Sequence, residues 1–133
     1  MPIRRDVSQT VRTAGKPGVV VALVLALLAS YVAMALSASR IKSVAFDEIA
    51  HLAAGTAYWK MGDFRLQPEN GNFPQRWAAL PFLFSHPVFP DASHPAWRQP
   101  DVWGLGAAFL SRKANDPDRL LFQARAMIAL LGA

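Results

Sequence analysis

The chain has 133 residues, room for one domain, and its 53% hydrophobic and 17% charged composition excludes a disordered tail protein. No cysteine is present, which excludes a disulfide scaffold, a thiolate zinc site and a thiol nucleophile. The net charge is +5, but the cations come singly or in pairs, without the basic stripe and interleaved aromatics of a nucleic-acid surface. Nucleic acid is therefore not an expected partner, and a small basic membrane protein fits the same balance.

In chain order, residues 1–18 form a basic tail with Arg4, Arg5, Arg12 and Lys16 against a single acid, Asp6. The next segment carries no charge over residues 17–39 and reads as a transmembrane helix at 19–39. A helix needs about 20 apolar residues, at roughly 1.5 Å each, to cross a hydrocarbon core about 30 Å thick. The cations in front favour a cytoplasmic N-terminus, although Arg40 and Lys42 behind the span pull the other way. Leu36-Ser37-Ala38-Ser39 would also serve as a signal-peptide cleavage site. Secretory apolar segments usually run to about 7–15 residues, however, so a retained anchor is the expectation.

Residues 40–118 read as an extracytoplasmic loop with short helices near 47–61, 75–84 and 101–113. In the first, Ile49, Leu52, Ala53, Thr56, Ala57 and Lys60 recur at three- and four-residue steps, giving an amphipathic helix that Gly62 would stop. Gly55 lies inside it, and its missing side chain would let a neighbouring helix approach. Asn70-Gly71 suits a turn, and Pro74 suits the first turn of the second helix, which Pro81 kinks or ends. Residues 85–101, with four prolines, read as irregular loop. Asn115 or Asp116 followed by Pro117 is a sound helix start. From residue 119 to 133 the chain becomes steadily more apolar, with no charge after Arg125, and reads as the start of a second, truncated transmembrane helix. The fold class expected is thus mainly α and membrane-bound: one N-terminal transmembrane helix, a loop with two short juxtamembrane helices, and the beginning of another span. Such pieces offer little apolar surface to bury against one another, so a partner or more chain is expected to complete the bundle.

Asp47 and Glu48 are the most informative pair. Two carboxylates in the first turn of a helix complement its dipole by about 0.3–1 kcal/mol each, which is a purely structural use. Just outside a bilayer, one of them can also act as a base. Successive helix positions point about 100° apart, so both cannot face one substrate atom, and the second would tie to a neighbour. His51 follows one turn later, giving the Glu-x-x-His spacing of di-iron bundles, but the only other glutamate is Glu69 in a turn, so no metal site is expected. A hydrogen bond from His51 to a carboxylate is the plainer reading. Lys60, Arg65 and Arg76 flank the turn between the first two short helices. They could grip a phosphate, arginine by its planar fork, or simply snorkel at the interface.

The order Asp47-Glu48, Gly55, Tyr58, Gly62-Asp63-Phe64-Arg65-Leu66, Pro68-Glu69, Ala78-Ala79-Leu80-Pro81 and Ala124-Arg125 resembles the opening of a membrane glycosyltransferase family. The family is the GT-C class, family 39-like, of the protein mannosyltransferase and aminoarabinose-transferase type. The resemblance runs from about residue 19 to the end of this chain and covers roughly the first quarter of a family member. It implies a sugar donor on a polyprenyl phosphate, transfer to an acceptor hydroxyl with inversion, and Asp47 as general base with Glu48 in support. The residue pattern, rather than the resemblance, offers Arg65, Arg76, Lys60 and His51 as candidate substrate contacts, and the resemblance adds a divalent cation beside Asp47 in some members and no firm cofactor. Expected partners are membrane lipid, the lipid-linked sugar and the rest of the helical bundle, in a bacterial inner membrane. The family's Pro-Pro-Leu turn is replaced here by Asn70-Gly71-Asn72-Phe73-Pro74-Gln75-Arg76. By itself the 133-residue chain is expected to be inactive, because one carboxylate cannot hold donor and acceptor in register. The alternative is a non-enzymatic membrane-anchored protein whose loop and C-terminal helix bind a partner subunit or lipid.

Overall fold

A computed structural model describes residues 17–133. The four cations of the basic tail lie outside the described residues. Seven helices follow in order: α1 (Pro17–Ile41), α2 (Phe46–Lys60), α3 (Asn72–Ala79), α4 (Phe82–Ser85), α5 (Pro95–Arg98), α6 (Val102–Leu110) and α7 (Pro117–Leu131).

Among the described residues, α1 is the one helix long and apolar enough to cross a membrane, with a mean hydropathy of 2.7 over its best window. None of its side chains is buried. Its 25 residues extend about 37 Å, somewhat more than a hydrocarbon core. The hydroxyls of Ser30 and Ser37 donate back to the carbonyls of Ala26 and Ala33 at 2.8 and 2.7 Å, so neither is left unpaired on this unburied helix, as a membrane-crossing helix would require.

The expectation of little buried surface is not met, because α2 is wrapped by its neighbours. Ala50 and every residue from Leu52 to Tyr58 are buried, so the helix is enclosed rather than amphipathic. One side packs with Leu66, Trp97 and Leu105, the other with Phe82, Phe109 and Leu121. Small side chains make this enclosure work. A Cβ on Gly55 would fall on the Gln75 carbonyl, so α3 crosses α2 at backbone distance. Gly106 likewise lets α6 press against Ile49. Phe82 and Phe89 meet the fully buried Phe109 edge-on, with ring centroids 6.1 and 5.1 Å away.

The loop between α4 and α6 is more ordered than its prolines suggest. His94 caps the short α5 by accepting from the Ala96 amide at 3.3 Å, and Pro95 occupies the first helical position. Asn115 clips the loop to the core: its Oδ1 accepts from Val88 N at 2.8 Å, and its Nδ2 donates to the carbonyls of Val88 and Phe109. Where one helix was expected over 75–84, Pro81 separates α3 from α4.

Helix α7 starts at the Asp116 cap, whose carboxylate accepts from Arg119 N at 3.1 Å. It then runs antiparallel to α1. Phe122 lies under the Arg40 guanidinium at 5.1 Å, and Gly132 abuts the Tyr31 hydroxyl. With 15 residues it falls short of the about 20 that a span requires.

Replacing Gly55 by alanine should therefore destabilise the fold by about 1–3 kcal/mol through forced separation of α2 and α3. Gly18→Ala, with open space around the new Cβ, should leave the melting temperature in lipid nanodiscs unchanged.

Candidate functional site

The residues that organise the site meet at the N-terminal end of α2, next to the end of α1. Glu48, at the third position of that helix, accepts from the Ala45 amide at 2.8 Å, one half of a capping box. The same carboxylate receives Arg125 of α7 as a fork: Nε donates to Oε1 and Nη2 to Oε2, both at 2.7 Å. The remaining Arg125 donors reach the carbonyls of Ser39, Lys42 and Ser43, each at 2.8 Å. All five guanidinium N–H groups are thus used, and one side chain fastens the end of α1, the linker, α2 and α7 together. Burial raises the Glu48 pKa. The Arg125 hydrogen bonds, the Ala45 amide and the Arg125 charge outweigh it, and the carboxyl is held below its ordinary 4.5.

Asp47 stands differently. It is exposed, and no hydrogen bond to its carboxylate is formed among the described residues. The preceding Phe46 stacks on Trp103 with ring centroids 4.1 Å apart. The adjacent acids therefore divide: Glu48 is committed to the scaffold and Asp47 remains free.

Beside this junction, α1, α2, α3 and α7 enclose a groove of about 740 Å³. Its apolar wall consists of Tyr31, Ala35 and Ala38 from α1 with Ile128 and Ala129 from α7. Its polar end carries Lys42, Glu48, His51, Asn70, Gln75 and Arg125. Along α1, Tyr31 lies eight residues before Ser39, so the apolar wall extends about 12 Å along the helix axis. The volume is that of a typical small-molecule site.

His51 sits on the groove's lining with its Nδ1 held from behind. Gln67 Oε1 and Gln75 Nε2 each lie 3.0 Å from Nδ1, and Gln75 Nε2 donates to Gln67 Oε1 at 2.5 Å. Both amides are almost wholly buried, at 6% and 4% exposure, and Gln75 Oε1 has no partner. An orphaned buried acceptor costs about 1–3 kcal/mol, which packing alone gives no reason to tolerate.

The three cations considered for a phosphate are not brought together and do not line the groove. Lys60 Nζ donates to Pro87 O at 2.6 Å, and burial lowers its pKa from the ordinary 10.5. Arg65 pairs with Asp63 at 3.1 Å and stacks over Trp97 at 4.6 Å. Arg76 stacks over Trp59 at 4.4 Å, while the Trp59 indole donates to Arg76 O. His86 and His94 serve as helix caps. Among the described residues no three His, Asp or Glu side chains cluster closely enough to hold a metal ion. Lys42, Gln67, Gln75 and Arg125 were not singled out as site residues by sequence reasoning. The partners of Gln67, Gln75 and Arg125 lie elsewhere in the chain, and only Arg125 had a signal, as the last charge before an apolar run.

No protein-family model matches the chain, and no curated protein or solved structure does.

Two outcomes test the junction. Arg125→Lys keeps the charge but has at most three donors for five acceptors, whereas Arg125→Ala strands Glu48. The alanine variant should lose about 3 kcal/mol, the low end for a buried pair because Glu48 stays 28% exposed, with faster hydrogen exchange at the linker amides. Because the folded pKa of Glu48 is depressed, its stabilisation is present above pH 4.5 and lost as pH falls through the folded value. The melting-temperature gap between wild type and Glu48→Gln should accordingly narrow as pH drops below 4.5.

Proposed function

We propose that this chain is the membrane-anchored N-terminal part of a glycosyltransferase that uses a polyprenyl-phosphate-linked sugar. The observation carrying the reading is the groove, apolar where it follows α1 inward and polar at the level of Lys42 and His51. An isoprenoid tail suits the wall formed by Ala35, Ala38 and Ile128, and a phosphoryl-sugar head suits the polar end. Lys42, with no ion pair among the described residues, offers the cation that a leaving phosphate needs. The division between the two carboxylates supports the same reading: three bonds from Ala45 and Arg125 tie Glu48 to the scaffold, while Asp47, next to the groove residue Glu48 although not itself in the groove's lining, keeps its oxygens open.

In this reaction Asp47 takes the proton of the acceptor hydroxyl as its oxygen attacks the anomeric carbon. The bond from that carbon to the phosphate oxygen breaks, the polyprenyl phosphate leaves with the electron pair, and the configuration inverts. The N-terminus is then cytoplasmic, the helices after α1 are extracytoplasmic, and further helices complete the site in a bacterial inner membrane. The unaccompanied 133-residue chain binds the donor without transferring sugar.

A benzophenone-bearing farnesyl phosphate in nanodiscs tests the groove. Crosslinks should concentrate on Ala35, Ala38 and Ile128, at least tenfold over Ala33 and Met34 at the same depth on the outer face of α1. Even labelling around α1 would refute the reading. In native membranes Asp47→Asn should lower sugar transfer by about 10²–10⁴-fold at unchanged abundance. A non-enzymatic anchor would show no such loss.

A further inference from the structure

We infer that the stacked pair Phe46–Trp103, together with Ile41 and Val44, is a seat on the phospholipid surface at the point where α1 leaves the bilayer, and that it sets the depth of Asp47. The inference rests on α1 being a membrane span and on no other part of the proposed function.

Four large apolar side chains stand open here. Ile41 ends α1, Val44 is in the linker and Phe46 begins α2; they are 86%, 40% and 73% exposed, and Trp103 of α6 is 37% exposed. Single apolar residues are ordinary on a protein surface, but a set drawn from neighbouring elements marks an interaction site. The Phe46 and Trp103 rings stack at 4.1 Å, and neither joins the buried clusters around α2.

What covers this patch follows from where Arg125 pins the chain. One guanidinium bonds the carbonyls of Ser39, Lys42 and Ser43 and both Glu48 oxygens. Ser39 is the last residue of the charge-free run, the level at which an apolar helix leaves hydrocarbon. The linker therefore folds back on the end of α1, and α2 starts beside it. Helical side chains lean toward the N-terminus of their helix, so Phe46, at the first position of α2, leans toward this junction. The patch is thus continuous with the apolar surface of α1. Its sequence neighbours carry both signs of charge, Arg40 and Lys42 against Asp47 and Asp101, a border suited to zwitterionic headgroups.

The indole of Trp103 fits the same place. Trp59 and Trp77 donate their N–H groups to carbonyls of the fold, whereas among the described residues that of Trp103 has no acceptor. Rings with an apolar body and a polar tip concentrate at headgroup level. Asp47 stands between Phe46, seated in lipid, and Glu48, bonded to Arg125, so its carboxylate is held at the height of a lipid phosphate.

The chain has no cysteine, so single nitroxide labels test this cleanly in phosphatidylcholine nanodiscs. Val44→Cys reports the patch with the aromatic stack intact. Leu27→Cys, at a position 70% exposed on α1, reports the span. Asp118→Cys lies seven residues before Arg125 on α7, about 10 Å farther from the junction, and reports water. The ratio of oxygen to nickel-complex collisions at Val44 should exceed that at Asp118 about fivefold and approach that at Leu27. Adding Phe46→Ser should lower the Val44 ratio about twofold or more, with circular dichroism checking the fold. A Val44 label in water while Leu27 is in lipid would overturn the seat and leave the span standing. So would a ratio unmoved by Phe46→Ser, or spin–spin broadening at Val44, which would mean that a second copy covers the patch. A Leu27 label in water would remove the span and the seat together. If the serine variant fails to fold, the three labels on the intact stack decide.

Discussion

The structure depends on one guanidinium. Arg125 satisfies five acceptors, from the end of α1, the linker and α2, and so ties α1 to the packed helices beyond it. The carbonyls of Ser39, Lys42 and Ser43 are orphans of a helix end and its linker. Several such groups gathered at one point call for a multidentate donor, and arginine supplies five N–H groups and never surrenders its proton. Glu48 completes the charge and turns α2 onto its heading through the Ala45 amide. The position of α2, and with it that of Asp47 and His51, is thus set by its junction with α1 and α7.

The groove follows from two kinds of helix contact. On one side α7 lies along α1, bound at the top by Arg125 and meeting Tyr31 below. On the other, Gly55 brings α3 against α2 and so places Gln75 behind His51. The indole of Trp77 donates to Met127 O at 2.7 Å and holds α3 to α7 across the gap. What remains between the four helices is an apolar-walled groove along α1 that also presents Lys42, His51 and Gln75. Apolar walls with a few aimed polar groups are the usual makeup of a ligand site.

Much of this architecture is legible in the sequence, where the signal is local. The charge-free run announces α1, Asp116-Pro117 announces the start of α7, and Gly55 announces a close crossing. The enclosure of α2 is not legible, because Ala50, Ala53, Ala54 and Ala57 read as a weak stripe although each is fully buried. The short α5 is hidden in a proline-rich segment, since a histidine is seldom the capping residue that starts a helix. Arg65 and Arg76 read as free cations, yet Trp97 and Trp59 occupy their faces from segments far along the chain. Gln67 and Gln75 carry no local pattern at all, and their meaning appears only when the turn folds them onto His51.

The length of chain spanned by the Arg125 contacts also imposes an order of events. Its partners Ser39 and Glu48 precede it by 86 and 77 residues. At the usual pace of synthesis, about 5–20 residues per second, α1 and its linker emerge on the order of 4–17 s before the side chain that fastens them. Throughout that interval the linker carbonyls lack the Arg125 partner they have in the folded chain. The arrival of α7 therefore acts as a timed latch, closing the groove only after every helix that lines it has been made.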